Sequence, residues 1–325
     1  MGARSAARAA PAPGRGALLS ASSGPDRGHL ATEAANPRSA GLERLDARAA
    51  VDLMVSEDRA AVAAVEGARE DLAALIELTS ARLAAGGRLV YVGAGTSGRL
   101  AVLDASECPP TFGVDPGLVR AIIAGGERAL RNAVEGAEDD GPAGAAAVEE
   151  LEVDGADVVV GITAGGTTPF VHGALGRARE LGAATGFIAC VPREQRADDY
   201  DVSIRLLVGP EVLAGSSRLK AGTATKLTLN ALTTITMSRL GKTHRGRMVD
   251  VDTSANTKLV DRGARLVAEF GGVDRARALE LLQLAGGSAK VAILMAARDL
   301  DAPAARRELE AADGVLDRTL PPPKS

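Results

Sequence analysis

Twice in this chain a near-continuous apolar run ends in a glycine-rich turn and passes at once into a stretch that can wind as a helix. The two stretches are "RLVYVGAGTSGRLAVLDASE" from residue 88 and "ADVVVGITAGGTTPF" from residue 156. Runs that are apolar at every position, not at alternate ones, belong to strands buried on both faces. Three further runs fit the same role: "LVRAIIAGG" (118–126), "ATGFIACV" (184–191) and "VSIRLLVG" (202–209). Strands alternating with helical segments predict an α/β fold, a doubly wound parallel five-stranded sheet flanked by helices. Ligands of such sheets sit beyond the carboxyl ends of the strands, and both glycine turns fall on that edge.

The remaining segments fill in around this sheet. Val62, Val65, Leu72, Leu75, Ile76 and Leu83 recur at helical spacing, which predicts one long helix from Ser56, as its cap, to Gly86. Helices are also expected over 127–140 and within 215–242. From about Asn256 to residue 320 the glycine pairs Gly271-Gly272 and Gly286-Gly287 separate short helical patterns, a small helical subdomain after a main domain over 31–255. Residues 1–30 are rich in Ala, Gly, Pro, Ser and Arg without apolar periodicity and read as a disordered extension; 321–325 read as a tail.

Composition narrows the function. A net charge of −4, with aromatic residues at 2% and no basic stripe, argues against nucleic acid as a partner. No apolar run reaches the ~18 residues of a membrane-spanning helix. Two distant cysteines, Cys108 and Cys190, point to a reducing, cytoplasmic setting and not to a disulfide framework. No CxxC, HExxH or clustered His/Asp pattern offers a metal site.

"GAGTSG" (93–98) has the form of a phosphate cradle. It is not a P-loop, because the spacing fails and no lysine follows. Gly93, Gly95 and Gly98 match dinucleotide spacing, but the acidic residue that should close the next strand is missing, since Asp115 stands before it. Gly95, Thr96 and Ser97 instead suit backbone and hydroxyl contacts to a phosphomonoester; the alternative is a tight turn that needs glycine for conformation alone. The second turn offers the hydroxyls of Thr163, Thr167 and Thr168. "GSSR" adds Ser216, Ser217 and, beyond it, Lys220, either as ligands or as a helix cap with a solvated basic face. Glu107, in "ASECPP", ends the helix that leaves the first cradle, which the two prolines are expected to stop. "VEGAEDD" crowds Glu135, Glu138, Asp139 and Asp140 after the second strand, a solvated face or half of an acid/base pair. His172 and His244 have no partner spacing and read as surface or helix residues; Cys108 reads as a small buried thiol.

Taken in order, "TEAANPRSAGLERLD", "GAGTSGRLAVLDASECPPTFG", "IIAGGERAL", "NAVEGAEDD", "GPEVLAGSSRLKAGTATKLTLN" and "MVDVDTSANTKL" resemble the N-acetylmuramic acid 6-phosphate etherase family over residues 31 to 320. The family consists of bacterial enzymes of cell-wall sugar recycling on the sugar isomerase (SIS) fold. The resemblance implies cleavage of the D-lactyl ether of N-acetylmuramic acid 6-phosphate by elimination and then hydration. It implies Glu107 and Glu138 as the catalytic carboxylates, with Glu107 given the proton-donor role. It further implies no metal or organic cofactor, and a homodimer with sites near the subunit boundary. One motif departs from the family, which commonly shows Ser-Gly-Arg-Thr-Pro where this chain has Gly165-Gly166-Thr167-Thr168-Pro169. A hydroxyl and a cation are absent there; Thr163 or Thr167 could replace the first, Arg218 or Lys220 the second. Two other functions stay open on the same fold: an aldose–ketose phosphosugar isomerase, and a non-catalytic phosphosugar sensor like the animal glucokinase regulatory protein.

Overall fold

The computed structural model describes residues 28–251, 253 and 257–320. The expected extension over 1–30, apart from its last three residues, and the tail over 321–325 lie outside the described residues. In chain order the first elements are α1 (Ala47–Gly67), α2 (Arg69–Ala84), β1 (Leu89–Gly93), α3 (Gly95–Phe112), β2 (Val119–Ile123), α4 (Gly126–Arg131) and α5 (Gly141–Glu150). There follow β3 (Val158–Ile162), α6 (Pro169–Glu180), β4 (Ala184–Ala189), β5 (Val202–Arg205) and α7 (Lys220–Arg239). A short antiparallel ribbon of β6 (Thr243–His244) and β7 (Arg247–Met248) leads to α8 (Thr257–Gly271), α9 (Arg275–Leu284), α10 (Ala289–Arg298) and α11 (Ala302–Ala311).

All five expected strands form one parallel sheet in the order β2-β1-β3-β4-β5. Successive side chains leave a strand on opposite faces, and both faces of this sheet are covered. Leu89 and Tyr91 enter a core shared with α1, α2, α3 and α7, while Val90 and Val92 enter one shared with α5 and α6. That double burial is why the runs read as continuously apolar. The C-terminal helices close a separate cluster around Leu266, Leu282, Ile293 and Leu309.

Three helices differ from expectation. The stretch 56–86 is two helices that meet at Ala68, after the poor helix former Gly67, and α1 begins earlier, capped by Asp46, whose Oδ1 accepts the Ala49 N–H at 2.8 Å. Over 127–140 only α4 is α-helical: it ends at Arg131, where Asn132 turns to an extended conformation, and a short 3-10 turn follows Gly136, which has a left-handed φ of 74°. The prolines do not stop α3. The helix runs through Pro109 and Pro110 to Phe112, and Gly113 ends it in a left-handed conformation (φ 63°), its N–H donating to Pro109 O at 2.9 Å. A proline inside a helix forfeits one hydrogen bond, and here the fold tolerates two in succession on the last turns.

Candidate active site

The first cradle is built by close packing of β1, β2 and α3. A Cβ on Gly98 would stand 2.6 Å from Ile123 Cγ1 and 2.8 Å from Gly93 O, so only glycine lets the first turn of α3 seat on the strand ends. Ala94 precedes the helix and supplies no side-chain cap. The first-turn N–H groups and the positive end of an 18-residue helix therefore face outward, beyond the sheet edge.

The second turn joins β3 to α6. The Thr163 and Thr168 hydroxyls meet at 2.9 Å and close the loop, whose Gly166 has φ 74°. Gly166 O accepts the His172 Nε2–H at 2.8 Å and Arg196 Nε–H at 3.2 Å. That bond fixes the imidazole tautomer, so Nδ1 of neutral His172 accepts the Tyr200 hydroxyl at 2.8 Å. Burial holds His172 below its ordinary pKa, which favours the neutral form. His172 thus sits on α6, the helix alternative of the expectation, and braces the second turn. His244 is internal too, with Nδ1 2.7 Å from Asp317 Oδ1.

The third turn opens α7, but its helix end is already occupied. Glu211, buried, accepts the N–H of Lys220 at 3.0 Å and of Ala221 at 2.9 Å. This carboxylate does the capping that Ser216 or Ser217 was expected to do. Of the three helices that open from these turns, α7 is therefore capped by a carboxylate, while α3 and α6 carry no side-chain cap.

A cavity of about 260 Å³ lies between these turns. Gly95, Thr96 and Ser97 line it from the first turn, Thr163, Thr167 and Thr168 from the second, and Ser217 from the third. Glu138 lines it from the 3-10 turn before α5. Ser216, Lys220 and Glu107, expected at the site, are not among the lining. Ser216 stands beside it in the third turn. Lys220 is 3% exposed, and its Nζ donates to Glu57 Oε2 at 2.6 Å, so it does not supply the cation missing from the second turn. Arg196 is a cation hydrogen-bonded to that turn, through Gly166 O. Glu107 is exposed and lies twelve residues beyond Gly95 on α3. At about 1.5 Å per residue that places it ~18 Å down the helix axis from the cradle. Cys108 is buried, donates to Asp104 O at 3.3 Å, and burial pushes its thiol up to about 12.

Sequence reasoning missed Leu30 and Glu33, both in the lining. Leu30, at the end of the stretch read as an extension, is buried against Gly165. Neither belongs to a glycine turn or an apolar run; the only signal for this segment is its place at the head of the family-like motifs.

Residues 71–179 match the family described as the glucokinase regulatory protein N-terminal SIS domain. The chain is 56% identical over 296 residues to an N-acetylmuramic acid 6-phosphate etherase of Gloeobacter violaceus, across 91% of this chain and 96% of that one. It is 52% identical over 295 residues to an N-acetylmuramic acid 6-phosphate etherase of Synechocystis sp., across 91% and 96%. Among solved structures, a phosphoheptose isomerase from Francisella tularensis superposes with a TM-score of 0.43 at 18% identity, over 59% of this chain and 98% of that one. Identity above half, sustained along nearly the whole of both relatives and nine-tenths of this chain, reaches well beyond the sheet. The chain belongs to the N-acetylmuramic acid 6-phosphate etherase family.

Proposed function

We propose that this chain cleaves the D-lactyl ether of N-acetylmuramic acid 6-phosphate to N-acetylglucosamine 6-phosphate and D-lactate. One observation carries the reading: in a chain of the etherase family, the open ends of α3 and α6 and the Glu138 carboxylate meet in one cavity. The helix ends and threonine hydroxyls suit the phosphate. In the ring-opened sugar the C2 hydrogen is acidic because it lies beside the C1 aldehyde. One carboxylate removes that proton, the C3–O bond breaks, and a second carboxylate protonates the departing lactate oxygen. Water then adds at C3 and a proton returns to C2. These steps break one C–O bond, form another from water and otherwise move only protons, so the reading calls for no metal or organic cofactor.

Glu107 cannot take part from within its own protomer. General acid/base work needs hydrogen-bond reach, about 3 Å, and Glu107 lies about 18 Å along α3 from the cradle. Its place in the reaction follows from a homodimer in which Glu107 of one copy enters the cavity of the other. Exposed apolar side chains on α3 and on two other helices support this. Leu103, one turn before Glu107, is 49% exposed, and Val51, Val55 and Val62 on α1 and Ile235 on α7 are exposed as well. α1 and α3 both pack against α7, and a subunit interface across these helices would cover those side chains. The same reading places the chain in the cytoplasm, in recycling of cell-wall amino sugars; no described helix is long and apolar enough to cross a membrane.

D-lactate release from N-acetylmuramic acid 6-phosphate by the wild-type chain tests the function. Glu107→Gln and Glu138→Gln are each expected to lower kcat by about 10²–10⁴-fold, the usual worth of a general acid or base. Undiminished release in both variants would remove the two carboxylates from the mechanism.

A further inference from the structure

The cavity holds a second carboxylate from its own protomer, and the reaction scheme does not use it. Glu33 lines the wall together with Glu138. Its segment, "TEAAN", is tied to separate parts of the fold. Gly215 N donates to Thr32 O at 3.1 Å, and Ala31 N donates to Gln195 Oε1 at 3.0 Å. Asn36 Nδ2 donates to Glu57 Oε2 at 2.7 Å and to Pro210 O at 3.2 Å. Thr32 and Asn36, on either side, are buried. Glu33 itself lies over Gly215, where φ is 75° and a Cβ would stand 3.0 Å from Oε2. An anchored backbone and a glycine left bare beneath it therefore set this carboxylate at the cavity.

Its charge limits what it can meet. The first-turn N–H groups of α3 and the threonine hydroxyls of the second turn favour an anion. A carboxylate on the same wall repels one. A phosphate must then sit toward α3 and α6, with Glu33 facing the uncharged part of the ligand. Hydroxyl and amide N–H groups are the donors a sugar offers to such an acceptor. We propose that Glu33 is a specificity-determining residue: it accepts a hydrogen bond from a hydroxyl or amide N–H of the phosphosugar and disfavours a bare phosphate ion in the same site. This rests on the phosphosugar reading of the cavity and adds to it the means by which the sugar is chosen over its phosphate.

Binding of two ligands by titration calorimetry tests it, using inorganic phosphate and N-acetylglucosamine 6-phosphate with the wild type, Glu33→Gln and Glu33→Ala. Both variants are expected to bind inorganic phosphate as tightly as the wild type or several-fold more tightly, because a like charge has gone. Glu33→Ala is expected to bind the sugar phosphate about tenfold or more weakly, the worth of one hydrogen bond to a charged acceptor. A purely structural role would weaken both ligands together, and that result would overturn the proposal. An unchanged ratio of the two affinities in Glu33→Ala would overturn it too, while leaving the phosphosugar reading intact. A wild type that binds neither ligand would overturn the phosphosugar reading, and the assignment of Glu33 with it.

Discussion

Lys220 and Glu57 are 163 positions apart in sequence and 2.6 Å apart in the fold. The Lys220 hydrogen bond, more than any other contact, holds the Glu57 carboxyl below the usual carboxylate range, against the opposing effect of burial; Asn36 and Arg38 assist. Replacing Lys220 by methionine leaves a buried carboxylate with only those two weaker partners. The expected cost is about 3 kcal/mol, the lower end for a broken buried pair, read as a lower midpoint in urea unfolding. The pH dependence has a definite sign. A carboxyl whose folded pKa is depressed binds fewer protons folded than unfolded. Its stabilisation is thus full above the unfolded value, about 4.3, and is lost as pH falls through the folded one. The gap between wild type and Lys220→Met should therefore be widest near pH 7 and shrink below pH ~4; a gap independent of pH would show that the carboxylate charge is not what Lys220 stabilises. The same pair shows where residue-level reading fails. Gly95, Thr96, Ser97 and Thr163 were legible because a strand–turn–helix unit fixes its own turn locally. The destination of a long lysine side chain was not, since it depends on a partner at the far end of the chain. For Glu33 there was no local signal at all, because its wall of the cavity is assembled from contacts to Gln195, Pro210 and Gly215.

At the scale of elements, the site depends on how closely α5 and α6 cross. A Cβ on Gly144 would come within 1.9 Å of Phe170 O, and one on Gly173 within 2.0 Å of Gly141 O. Backbone oxygens cannot rotate aside as side chains do, so any larger residue drives the two helices apart. The turn that carries Glu138 runs directly into α5, and the second glycine turn opens α6. Gly173→Ala should thus cost about 1–3 kcal/mol of stability by overpacking. It should also lower kcat/KM for D-lactate release, even at temperatures where the variant is fully folded by circular dichroism. Unaltered kinetics in the folded variant would show that the crossing does not position the two turns. Strands were the legible elements because burial on both faces writes itself into every residue of β1, β3 and β4. Helix ends were less so. The Ala68 break follows a single glycine, Gly67, inside an alanine-rich stretch, and one glycine is a weak stop signal in a helical pattern. Pro109 and Pro110 gave a false stop, since tertiary contacts of Cys108 and Phe112 with the core keep the last turns of α3 in place.

At the scale of the molecule, one protomer carries Glu138 at its cavity and Glu107 far from it, and the two would meet only across a two-fold interface. In such an interface each copy gives the other what it receives, so both sites would be equivalent. This yields a result that no single-protomer site could give. In a dimer of one Glu107→Gln chain and one Glu138→Gln chain, the cavity of the first has its own intact Glu138 and receives an intact Glu107. The cavity of the second lacks Glu138 and receives a glutamine, so it is doubly defective. Random exchange of subunits makes half of the dimers mixed, each with one complete site. Two inactive variants, co-refolded from denaturant in equal amounts, should then recover about a quarter of wild-type D-lactate release. Recovery should track the mixed species in native mass spectrometry, and it should vanish at dilutions where the dimer dissociates. Mixed dimers with no more activity than the two inactive parents would show that Glu107 and Glu138 do not meet across the interface, and would overturn the exchanged-carboxylate arrangement.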